Sequence, residues 1–91
     1  MPHDWLANAF GVTAGLCSMI SFIPQIMKIL RERDATGISL RMYGVTIFGF
    51  ACWTTYGALS GSWPVMASNA ICVLLTVTIF ALRLKYGEAD A

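Results

Sequence analysis

No charged residue occurs between Met42 and Leu82, and Trp5 to Met27 is a second run without charge. With 57% hydrophobic residues, a soluble chain of 91 residues could not hide its apolar side chains in one small core. A bilayer solvates such side chains directly, and it also demands that every backbone polar group be satisfied internally. The chain therefore reads as an all-α membrane protein.

As a helix, the first run would be about 35 Å long, enough for one crossing of a hydrocarbon core of about 30 Å. The second run is too long for a single pass. It is interrupted at Gly61-Ser62-Trp63-Pro64, where Gly ends a helix, Ser62 caps the next and Pro64 suits its first turn. Three transmembrane helices result, at about 5–31, 39–60 and 63–86, within one domain covering residues 1–91. Arg31 to Ile38 is a short polar loop, in which Gly37 suits a left-handed turn and Ser39 an N-cap.

The six basic residues, Lys28, Arg31, Arg33, Arg41, Arg83 and Lys85, fall around that loop or at the C-terminal end. Three spans put both places on one side, which the positive-inside rule makes cytoplasmic, so the N-terminus faces out. Trp5 and Trp63 would anchor at the outer interface, Tyr43 and Tyr86 near the inner one. Met1 to Asp4 offers no basic leader region and no cleavage site is evident, so the first helix reads as a retained span. Cys17, Cys52 and Cys72 lie within spans as small packing residues, and His3 needs no function. The net charge of +1 implies nothing about nucleic acid, and no metal or cofactor is expected.

Polar groups at bilayer depth must face protein or a water-filled cavity. Gly11, Gly15, Ser18, Phe22 and Gln25 share one face of the first helix, and its glycines suit close helix packing. Pro24 leaves the Ile20 carbonyl without its usual partner, as a fixed kink or as a moving hinge. Gln25 beside it suits either freed backbone groups or a neighbouring helix. On the second helix Thr46, Gly49, Trp53, Tyr56 and Ser60 share a face. Trp53 lies roughly 10 Å inside the boundary and Asn69 of the third helix roughly 8 Å, so the two are at similar depth. An aromatic face beside an amide suits a sugar, whose C–H groups stack on indole while its hydroxyls bond to the amide; the pair would equally serve as interhelical glue. With no Asp, Glu, Lys, Arg or His at mid-membrane, transport would be passive and its solute neutral. Three helices are too few to surround such a path, so a homodimer with its axis along the membrane normal is expected.

Phe22-Ile23-Pro24-Gln25, Thr36-Gly37-Ile38-Ser39 with Met42-Tyr43, Trp53-Thr54-Thr55-Tyr56-Gly57 and finally Asn69 resemble, in order and spacing, the bacterial SemiSWEET sugar transporters of the PQ-loop superfamily. The resemblance runs from about residue 22 to 72. It implies a triple-helix bundle packed in the order 1-3-2, a half-transporter completed by homodimerisation. Such a dimer moves mono- or disaccharides down their gradient by alternating access in the cell (inner) membrane. On that resemblance Trp53 and Asn69 bind sugar, Pro24 and Gln25 form the hinge of the PQ motif, Phe22 and Met42 gate the cytoplasmic side and Tyr56 the outer side. Some members carry an Arg and an Asp as outer-gate latches, where this chain has Ser60 and Ser62. Outer closure without those ion pairs would rest on Tyr56, serine hydrogen bonds and packing.

Two alternatives stand beside this reading. One is a PQ-loop carrier of another neutral or zwitterionic metabolite; the other is a non-transporting membrane adaptor whose polar faces serve only packing. No nucleophile-base arrangement points to an enzyme.

Overall fold

A computed structural model describes residues 4–87; His3 lies outside them. Three helices account for most of the chain: α1 (Asp4–Glu32), α2 (Leu40–Ser60) and α3 (Trp63–Tyr86). Each end agrees with the sequence reading to within a residue, because charge and helix-stopping residues mark it.

At the start of α2, Ser39 is an extended N-cap whose side chain accepts from the Met42 amide at 3.1 Å. At its end, Gly61 takes φ 76° and returns its N–H to the Gly57 carbonyl, which also accepts from Ser62 N at 2.9 Å. Ser62 occupies the N-cap position of α3 but its side chain makes no capping bond, with Pro64 in the first turn as expected. The left-handed residue of the first loop is Arg33 (φ 53°), not Gly37. Asp34 explains the difference: its carboxylate accepts from Thr36 N at 2.9 Å and Thr36 Oγ1 at 2.7 Å, turning the chain before Gly37 is reached.

The packing order is 1-3-2. α3 packs against both α1 and α2, which do not approach each other backbone to backbone. Near the Gly61 turn, contact is made by small residues. A Cβ on Gly11 would lie 3.0 Å from Pro64 Cβ, one on Gly57 would lie 2.5 Å from Met66 N, and one on Gly15 would collide with Ser68. Near the α1–α2 loop the helices are spaced by large side chains: Ile29, Ala35, Tyr43 and Ile79 are buried there, flanked by Phe22, Ile26, Ile38, Phe80, Leu82 and Tyr86. The bundle is thus tight at the turn end and filled by side chains at the loop end.

The outer surface suits lipid. α1 and α3 are long and apolar enough to span a membrane, with mean hydropathy 1.6 and 2.2. α2 is long enough at 21 residues but less apolar, because it carries Trp53, Tyr56, three threonines and three glycines. Trp5, Phe10, Leu16, Ile20, Phe48 and Leu59 are exposed, as lipid-facing side chains should be. Hydroxyls inside the spans are satisfied by their own helices: Thr13, Ser21, Thr55, Ser68, Thr76 and Thr78 each donate to the carbonyl four residues back. Thr76, with no exposed surface, would otherwise be a costly buried donor.

Candidate functional site

The face of α2 that carries Thr46, Gly49, Trp53 and Tyr56 is left largely uncovered within one chain. Trp53 is 56% and Tyr56 58% exposed, and nothing approaches within 4 Å of the Cβ position of Gly49. The two aromatic rings meet edge to face, centroids 5.5 Å apart and planes at 85°. With Cys52 they line an open recess of 370 Å³. Cys52 and Cys17 are exposed, so only Cys72 packs inside the chain as all three were expected to; all are free thiols. A cysteine on a lipid- or recess-facing surface behaves as a small apolar side chain, which hydropathy alone does not separate from packing.

Trp53 and Asn69 lie at matching depth. Gly57 and Met66 touch where α2 and α3 cross. One turn back along α2, about 6 Å, stands Trp53; three residues forward along antiparallel α3, about 4.5 Å, stands Asn69. No hydrogen bond joins them. Asn69 Nδ2 instead donates to Val65 O at 2.8 Å, which orients the amide, and the Trp53 N–H has no partner among the described residues. An indole N–H and an oriented amide at one level are hydrogen-bonding groups free to meet a polar solute.

At the loop end a second cluster joins α1 to α2. The Phe22 ring contacts Tyr43 (6.4 Å between centroids) and Phe50 (5.9 Å), and the Tyr43 hydroxyl donates to Gln25 Oε1. Of the open options for Gln25, the neighbouring helix is the one realised. Pro24 sits one residue before it inside a continuous α1. Met42 is 56% exposed and is not among the residues packed in this cluster. The small face of α1 is therefore divided: Gly11 and Gly15 pack on α3, whereas Phe22 and Gln25 reach α2.

Tyr43 is not an interfacial anchor. It is 3% exposed, and its ring is part of the loop-end core because Gln25 satisfies its hydroxyl. Arg83, read from the sequence only as a topogenic charge, donates from Nε to the Ile38 carbonyl at 2.7 Å.

Residues 6–66 match the PQ loop repeat family. A sugar transporter SemiSWEET of Bradyrhizobium diazoefficiens is 41% identical over 83 residues, covering 91% of this chain and 96% of that protein. The chain belongs to the PQ-loop family, in its SemiSWEET branch. A second SemiSWEET, from Leptospira biflexa, is 26% identical over 91% of this chain and 98% of its own length. The crystal structure of a bacterial homologue of SWEET transporters superposes with TM-score 0.84 at 33% identity, covering 90% of this chain and 99% of that one. The SemiSWEET fold accounts for the order 1-3-2, and membership makes this a membrane protein.

Proposed function

We propose that the protein is a sugar uniporter: a symmetric homodimer that carries mono- or disaccharides down their gradient by alternating access. It acts as a transporter and not as an enzyme. The observation that carries this reading is the uncovered α2 face, where Trp53 stands level with Asn69 of α3 and Tyr56 lies one turn nearer the Gly61 end. A second copy related by a two-fold axis along the membrane normal would place two such faces around one path, with two Trp53 and two Asn69 residues in it. The relatives called sugar transporters, matched over nearly their whole length, support sugar as the solute.

Within that dimer, Pro24 and Gln25 form the hinge. Beyond Pro24 the helix is tied to α2 only through side chains, so this segment moves at smaller cost than the glycine-packed half. Phe22 and the exposed Met42 gate the end that carries the loop. Tyr56 gates the other end, aided by the Ser60 and Ser62 segment in place of charged latches. With six basic residues at the loop end, that end faces the cytoplasm and the N-terminus faces out.

The deciding experiment is uptake of labelled glucose and sucrose into liposomes containing the purified protein, with no ion gradient imposed. Saturable uptake is expected, and Asn69→Ala should abolish it while dimers persist. Absence of uptake of either sugar by well-folded protein would favour another neutral solute or an adaptor role. A dimer lost in Asn69→Ala would favour the adaptor.

A further inference from the structure

The α1–α2 loop has to cross the end of α3 to reach α2, and two bonds fix it there. Arg83 Nε donates to the Ile38 carbonyl at 2.7 Å, one residue before the Ser39 cap. Ala35 N donates to the Tyr86 carbonyl at 3.4 Å, and Ala35 is buried against the Tyr43 cluster. The second is long for an amide bond, so the short charge-assisted bond from Arg83 is the stronger tie. Gly87 makes this possible: it is buried, and a Cβ there would collide with the Arg83 guanidinium and carbonyl. The guanidinium is therefore laid over a residue without a side chain, which directs its Nε at the loop.

We infer that Arg83 is a positioning residue for the transport cycle, fixing the start of α2, and with it the Met42 gate, to the middle helix, which packs against both others. The Ile38 carbonyl precedes the first turn of α2, so its position sets where Met42 projects. In the same turn Tyr43 holds Gln25, the residue after the hinge proline. Release of the Ile38 carbonyl would let the head of α2 and the tip of α1 shift together away from α3. This rests on the alternating-access reading and adds to it a part played by α3 at the gate.

Side-chain chemistry separates the bond from the charge. Glutamine Nε2 is as many bonds from its Cα as arginine Nε, so Arg83→Gln keeps a donor at the Ile38 carbonyl and loses the charge. Arg83→Met keeps the apolar stem and loses both. Lys85, near the Tyr86 ring at 5.2 Å, supplies the charge control, since Lys85→Met alters the same helix end without touching the loop.

The test measures the rate at which a membrane-impermeant maleimide labels the Met42→Cys variant in vesicles, with Cys17, Cys52 and Cys72 replaced by alanine. Arg83→Met should raise the rate about tenfold or more, the ratio that one charge-assisted hydrogen bond supports. Arg83→Gln, with a neutral donor in place, should raise it by clearly less than Arg83→Met, and Lys85→Met should leave it unchanged. Should Arg83→Met not assemble, Gly87→Ala displaces the same guanidinium with its charge retained and carries the same expectation. Equal rates in all assembled variants overturn the inference, as does a Gln variant that behaves like Met. Labelling needs no sugar, so failed uptake by the parent protein would count against the sugar reading and leave this result standing.

Discussion

At the scale of single residues, the glycines divide by what stands over them. Gly57→Ala would force α2 away from the Met66 backbone and should cost about 1–3 kcal/mol. Gly49→Ala meets nothing within 4 Å and should be neutral or stabilising by up to about 1 kcal/mol through helix propensity. Thermal unfolding in detergent compares the two, and equal losses would contradict the close approach at Gly57. Asp34 offers a pH test outside the membrane. The Thr36 amide and hydroxyl hold its carboxyl below the usual value of 3.8. Because the folded value is depressed, whatever it adds to loop stability is complete above the unfolded value and is lost as pH falls through the folded one. An NMR titration of the Asp34 side chain should therefore show its midpoint below 3.8, moving back up in Thr36→Val, which removes the hydroxyl.

Between the helices, the contrast is between an end held by backbone contact and an end held by side chains. Tyr43→Phe leaves the part-buried Gln25 Oε1 without its donor and should cost about 1 kcal/mol, measurable by detergent melts. Pro24→Ala restores the missing N–H to α1 and should slow uptake while leaving dimers intact; unchanged uptake would remove Pro24 from the hinge. The helices themselves were legible because each limit is written locally: a charge-free run, a Gly-Ser-Trp-Pro interruption, a Ser39 cap. The matching depth of Trp53 and Asn69 was legible too, from counting inward along each helix. Tyr43 was not, because an aromatic residue at a span end has the same local pattern whether it meets headgroups or a glutamine on another helix. Nor was the Arg83 bond, since it exists only once α3 lies beneath a loop that is 45 residues away in sequence.

For the whole molecule, the open question of solute turns on a second copy. The proposed dimer should form in Trp53→Ala as in the parent protein while sugar uptake disappears, as measured by light scattering of detergent complexes and by liposome flux. A variant that falls to a monomer would mean that Trp53 serves assembly. The order of packing also bears on how the chain comes to be made. α1 and α2 enter the bilayer before α3 yet share no backbone interface, and the seam between them is the place of α3, which is synthesised after both. Until α3 arrives, Gly15 and Gly57 have no backbone to meet and Tyr43 lacks most of its cover. Maturation of this membrane protein thus waits on α3, and a ribosome that stops before Trp63 releases two spans that insertion alone cannot turn into a folded unit.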